Sequence, residues 1–299
     1  MFLAVGMLFT SCSDDDTTTT QKSIVDVVVD SPDFTLLEAA VLHAGIADAL
    51  KNPTITVFAP TDAAFRAAGL TSAAVIQGID KVALANILSY HVVGSLVPSS
   101  ALATKDNVAV KMLNGTDAFV TKNASGVSIN GARVTTADVK AENGAIIHII
   151  DAVIAPETRN IVALAQGNPD LSFLVAAVLK ANTGSTKVVD ILSGAGPFTV
   201  FAPTNDAFKA AGFATVAAVT ATDANTLAAI LTYHVVSARV YSTNLTTGNV
   251  TTASGGTVAI NAANGTVKGA KNANPSKIIA VNIPASNGVV HLIDSVLLP

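Results

Sequence analysis

The chain lacks tryptophan, has three tyrosines and a single cysteine, and only 13% of its 299 residues are Asp, Glu, Lys or Arg. The lone cysteine, Cys12, excludes an intramolecular disulfide framework and any zinc site built on cysteine pairs. A net charge of −4 and a pI near 5.6 argue against a nucleic-acid binder, which needs a basic patch for phosphates. Long apolar runs are also missing. Residues 82–104 carry no charge but include Ser89, His91, Gly94, Ser95, Pro98, Ser99 and Ser100. Residues 240–267 are uncharged but dominated by Thr, Asn and Gly. A membrane-spanning helix needs about 20 predominantly apolar residues, and neither stretch qualifies. No G-x-S-x-G elbow and no G-x-x-x-x-G-K-[ST] loop occurs. Gly194 and Gly196 precede a strand pattern rather than a helix, so they make no dinucleotide fingerprint.

What is present is hydrophobic: 50% of residues, with a mean hydropathy of +0.53. These residues are spread through short alternating segments, the pattern of a β-rich core. The one compact apolar stretch is the start, MFLAVGMLF, which has the length of a signal-peptide core and runs into Thr10, Ser11 and Cys12. Small residues before a cysteine at the end of such a run resemble a bacterial lipobox, in which the cysteine becomes the lipidated N-terminus. No Lys or Arg precedes the run. Ser13, Asp14, Asp15, Asp16 and four threonines follow, a run too polar to pack. This run resembles the acidic stretch after the lipidated cysteine of surface-exported lipoproteins in Bacteroidetes-type bacteria. Residues 1–11 are therefore expected to be a signal peptide, and 12–22 a lipidated cysteine and tether. The expected location is the bacterial outer membrane, lipid-anchored and exposed at the cell surface.

The rest of the chain is a repeat. PTITVFAPTDAAFRAAG at 53–69 returns as GPFTVFAPTNDAFKAAG at 196–212. LSYHVV at 88–93 returns as LTYHVV at 231–236, and NGAIIHIID at 143–151 as NGVVHLID at 287–294. The interval from His91 to His148 equals that from His234 to His291. A unit of about 135 residues is a normal domain size and far too long for a solenoid repeat. Two domains are expected, 23–156 and 157–299. The connection, Glu157 to Asn160, is short enough to restrict their relative swing.

Each copy reads as helices first and strands later. A short helix near 24–29 precedes Ser31-Pro32-Asp33, a stop and a fresh cap. A second helix near 34–44 is expected to put Leu37, Val41 and Leu42 on one face. TITVFA alternates as a strand, and Thr61 caps a short helix through Phe65. Leu84, Ile87 and Leu88 then mark a helix near 81–89, matched by Leu227, Ile230 and Leu231. Turn signals at Asn114-Gly115, Ser125-Gly126, Asn130-Gly131 and Asn143-Gly144 separate the final strands. The order implies an α+β domain with an antiparallel sheet.

Three motifs in this order, TVFAPTNDAF, YHVV and NGVVHLID, occurring in both copies, resemble the fasciclin domain over almost all of residues 22–299. The resemblance implies a β-wedge flanked by helices in each copy, and extracellular adhesion rather than catalysis. It also implies interaction residues. The Tyr-His pair linked to integrin binding in animal members falls on Tyr90-His91 and Tyr233-His234. The Asp-Ile element falls on Asp138-Val139, while the second copy has Asn282 and no Asp in that region. Against these assignments stands a plainer reading, in which Tyr and His at a helix–strand junction hydrogen-bond the local backbone and pack.

Reactive constellations are scarce. His148 and Asp151 form H-x-x-D, repeated as His291 and Asp294, but residues three apart on a strand face opposite sides and cannot chelate one ion. His91 and His148 have no shared carboxylate to complete a metal site. Asp62 follows Thr61, whereas Asn205 follows Thr204 and Asp206 comes one later. A catalytic acid would not shift in this way, whereas a charge at a helix N-terminus can. Residues unique to one copy, His43, Arg133 and Glu142, form no constellation. No enzyme, cofactor or metal is expected. The leading expectation is a lipid-anchored adhesion or matrix-association protein whose partner is a cell-surface or matrix protein or glycan. The alternative is a carbohydrate- or small-ligand-binding surface lipoprotein, which would need an exposed aromatic platform; Tyr241 is the tyrosine outside the repeated motif.

Overall fold

The computed structural model describes residues 23–299. The signal segment 1–11 and the tether with Cys12 lie outside the described residues.

In the first copy the helix Ile24–Val29 opens with a capping box. The Asp26 carboxylate accepts both the Ser23 backbone N–H at 2.6 Å and its hydroxyl at 2.8 Å. A 3₁₀ turn, Pro32–Phe34, leads into the helix Thr35–Ala44, which stops at Gly45 with φ 72°. This helix buries Leu36, Leu37, Ala40 and Val41. Leu42, expected on the same face, is 62% exposed, because one further step of about 100° carries it past the edge of the stripe. The helix Lys81–Ser89 buries Leu84 and Leu88, with Ile87 half-buried at the edge of the stripe.

Seven strands follow the expected turns: β1 Thr56–Pro60, β2 Val92–Val93, β3 Val108–Lys111, β4 Asp117–Asn123, β5 Gly126–Ile129, β6 Ala132–Lys140 and β7 Ile146–Ile150. The second copy repeats them as β8 Phe198–Pro203, β9 Val235–Val236, β10 Gly248–Thr251, β11 Thr257–Asn261, β12 Thr266–Lys268, β13 Ser276–Ala285 and β14 Gly288–Ile293. The spatial orders are β2-β1-β7-β6-β5-β4-β3 and β10-β11-β12-β13-β14-β8-β9. Helices pack against each sheet, so the α+β wedge expected from the motifs is the architecture found.

One pairing departs from the antiparallel expectation. Strand β1 runs parallel to β7, with Phe58 opposite His148, and β8 runs parallel to β14, with Phe201 opposite His291. These strands are buried along nearly their whole length. Continuous apolar runs such as TVFAP and IIHII are the pattern of strands covered on both faces, and they carry no mark of direction.

Alternation along β1 divides the domain interior in two. Val57 points toward the helices with Leu37, Val41, Phe65, Leu84, Leu88 and Ile147. Phe58 points into the wedge with Tyr90, Val120, Ile129 and Ile150. Val200 and Phe201 divide the second copy in the same way. Each fully buried side chain of this size contributes roughly 1.5–3 kcal/mol relative to exposure.

Candidate functional site: the repeated tyrosine–histidine motif

The Tyr-His pair stands where the last long helix of each copy turns into its short second strand. The helix Lys81–Ser89 is capped at its start by Asp80, whose carboxylate accepts the Val82 and Ala83 N–H groups. It ends at Tyr90, and Val92 enters β2. This junction aims the tyrosine into the wedge. Tyr90 is 4% exposed and Tyr233 only 1%. The Tyr90 hydroxyl donates to the Asp117 carbonyl at 2.9 Å and accepts from Asn130 Nδ2 at 2.8 Å. The Tyr233 hydroxyl donates to the Thr257 carbonyl and accepts the Ala270 N–H at 2.9 Å. Burial pushes the Tyr90 phenol up to about 12.

The histidines are equally committed. His91 Nδ1 donates to the Ile87 carbonyl at 2.8 Å, and Nε2 accepts the Ile154 N–H at 3.1 Å. His234 repeats this with Ile230 and Leu297, both at 2.8 Å. A nitrogen that accepts an N–H carries no proton, so both rings are neutral Nδ1–H tautomers. Burial pushes each of them down to about 4.

His148 and His291 hold the opposite tautomer. Nδ1 accepts the N–H of Asp138 or Asn282 at 3.2 Å, and Nε2 donates to the Val97 or Val240 carbonyl at 2.9 or 2.8 Å. His148 lies against the Phe58 ring at a centroid distance of 5.3 Å. The Phe58 N–H in turn donates to the His91 carbonyl. The structure thus gathers His91 and His148 around Phe58, with each ring serving the backbone.

Asp138 occupies a left-handed backbone conformation, φ 60°, where β6 is irregular against β7. One carboxylate oxygen accepts the Ser99 N–H at 2.7 Å and the other the Ser99 hydroxyl. These bonds hold its carboxyl below the usual range and tie the β2–β3 connection to β6. Val139 packs its side chain against the helix-side core. The remaining acids of the motifs are structural too. Asp151 accepts the Arg133 N–H at 2.7 Å, and Asp294 the Lys277 N–H at 2.8 Å. His43 reaches the Ile79 carbonyl at 3.0 Å. Among the described residues no group of three or more His, Cys, Asp or Glu is placed to hold a metal ion. Tyr241 is buried, so it offers no stacking platform.

The family model described as Fasciclin domain matches residues 32–156 and again residues 169–299. The chain belongs to the fasciclin domain family. Protein sll1483 of Synechocystis is 38% identical over 152 residues, 50% of this chain and 79% of that protein. Human periostin is 28% identical over 254 residues, 82% of this chain but only 28% of periostin's length. The cell surface glycolipoprotein MPB83 of Mycobacterium bovis is 33% identical over 142 residues, 46% of this chain and 60% of that protein. In this fasciclin pair no helix among the described residues is long and apolar enough to cross a membrane. The residues that sequence reasoning missed are Arg239, Asn130 and Asn282, whose side chains reach partners in the other copy. A comparison of the two copies position by position was the available signal, because the copies differ there.

Proposed function

We propose that this protein is a non-enzymatic, lipid-anchored adhesion or matrix-association protein at the outer surface of a bacterial cell. The observation that carries the reading is the fasciclin family match over both copies, which together account for most of the chain. Two features support it. The four repeated histidines and the acids Asp151 and Asp294 are engaged by backbone hydrogen bonds, so what the folded chain offers a partner is surface rather than a reactive centre. The name of the relative MPB83 describes a cell surface glycolipoprotein, consistent with Cys12 as an acylated anchor followed by a polar spacer. Acyl chains contribute about 0.8 kcal/mol per buried CH₂, and more than one chain is needed for stable anchoring.

On this reading the partner, a cell-surface or matrix protein or glycan, meets exposed loops and edges rather than the buried rings of Tyr90, His91, Tyr233 and His234. The test uses the native envelope. Intact-mass analysis of detergent-extracted protein is expected to show acylated Cys12, and Cys12→Ser to move the protein from membrane to soluble fractions. A deletion strain is expected to lose attachment to host or neighbouring-cell surfaces. An unmodified Cys12 would sink the anchor, and unchanged attachment, biofilm and partner binding in the deletion strain would sink the adhesion role.

A further inference from the structure

The two fasciclin domains meet along a seam whose contacts come from side chains. Arg239 is 8% exposed, donates to the Gly288 carbonyl at 2.7 Å, and sits 4.2 Å from the centroid of the Phe119 ring in the other domain. Its own carbonyl accepts Asn107 Nδ2 across the seam at 2.6 Å. The Tyr241 hydroxyl donates to Asn130 Oδ1 at 3.2 Å, and the same amide holds the Tyr90 hydroxyl. Asn282 Nδ2 donates to the Gly131 carbonyl at 3.3 Å. Gly131 has φ 81°, and a Cβ there would fall on the Asn282 amide.

At Arg239, Tyr241, Phe119 and Asn282 the copies differ. Thr56 donates to the Ser95 carbonyl and Thr199 to the Ala238 carbonyl, which aligns Leu96 with Arg239 and Pro98 with Tyr241. The tyrosine hydroxyls find Asp117 and Thr257, which aligns Phe119 with Ala259. Asp138 and Asn282 share a left-handed backbone, φ 60° and 59°, and the same histidine bond. The Asp-to-Asn difference carries its own logic. Both oxygens of Asp138 accept from Ser99, so that side chain has no proton to give. Asn282 Oδ1 accepts the Ser242 N–H at 2.7 Å, and its Nδ2 carries two protons, one given to the Ser242 hydroxyl at 2.8 Å and the other across the seam. An aspartate at 282 would set a carboxylate against the Gly131 carbonyl, a repulsive pair away from bulk water.

We infer that the residues distinguishing the two copies lock them into one rigid body, and that this lock is private to the pair. The faces left free are the counterparts of those in the seam. The first domain presents Leu96, Pro98 and Asp138 where the second uses Arg239, Tyr241 and Asn282. The second presents Ala259 where the first uses Phe119. None of the cation–ring, hydroxyl–amide or amide–carbonyl pairs is available between those free faces, so further copies cannot stack end to end through the same contact. The short linker limits how far the domains swing but does not fix their orientation, and domains that meet through a small polar interface are otherwise expected to move relative to one another.

The test uses the full chain carrying Cys12→Ser, with spin labels on cysteines placed at exposed Val82 and Lys209. The native background is expected to give one narrow label-to-label distance distribution and to sediment as a monomer. Arg239→Leu with Asn282→Asp, each the residue of the other copy, is expected to broaden the distribution roughly twofold or more, as domain motion is released. Phe119→Ala, a change at a half-buried surface position, is expected to broaden it with no loss of fold, and decides the matter alone if the double variant does not fold. A broad distribution in the native background, or one equally narrow in the folded variants, overturns the lock. End-to-end association of the native chain at micromolar concentration overturns its privacy.

Discussion

His91 and His234 are held neutral by their surroundings, and that makes them sensitive to acid. In the folded chain both titrate near 4, against an ordinary value of 6.5. Between these values the unfolded chain holds a proton that the native chain does not, so stability is full above pH 6.5 and is lost as pH falls toward 4. Each histidine contributes about 3 kcal/mol over that window, since every pH unit between the two values corresponds to about 1.36 kcal/mol. Denaturant midpoints measured from about pH 7 down to about pH 4.5 should fall steeply, before the paired carboxylates, whose values are lowered, begin to protonate. A flat profile would contradict the burial of these rings. The sequence made it legible that H-x-x-D is not a chelate. It did not reveal what each ring nitrogen serves, because Ile154 and Leu297 come from the far end of their domains.

At the scale of elements, the wandering acid at the start of the Thr61 and Thr204 helices has a specific cause. Each of those helices has its own threonine cap, with N···O distances of 3.3 Å. Asp62 is therefore free to serve the neighbouring helix Thr35–Ala44, whose N-cap residue Phe34 offers no side-chain hydrogen bond. It accepts the Leu36 N–H at 2.8 Å and the Thr35 hydroxyl at 2.6 Å. Asn205 does the same for the helix Ser172–Ala181 through the Phe173 N–H at 3.0 Å. Asp206, by contrast, is exposed and pairs with Lys209. Asp62→Ala should lower stability by about 1–2 kcal/mol, the value of a lost cap, while Asp62→Asn should be near neutral, as the second copy already carries Asn. Thermal melts of the three proteins check this; equal losses in both variants would show that charge, not capping, is what matters. Helix and strand positions were legible here because caps and NG turns are local signals. The parallel pairing of β1 with β7 was not, because the partners are distant in the chain and both are uniformly apolar.

At the scale of the molecule, the four hydrophobic clusters among the described residues sort cleanly by copy, two to each domain, and none spans the seam. The repeat in the sequence made that division legible, while the seam was invisible to it because motif reading looks for what the copies share. The energetic consequence is a hierarchy. Hydrogen bonds across the seam contribute about 1 kcal/mol each, whereas truncating a buried leucine to alanine costs about 2–5 kcal/mol. Leu84 is 1% exposed in the helix-side core of the first domain. Leu84→Ala should therefore outweigh the coupling and uncouple the two halves in a calorimetric scan. The first domain should melt early in a separate transition. The second should melt slightly below the native temperature, since it has lost the Asn130 and Gly131 partners of Tyr241 and Asn282. A single transition displaced as a whole would mean that the seam binds the domains more strongly than their own cores, against the polar character of its contacts.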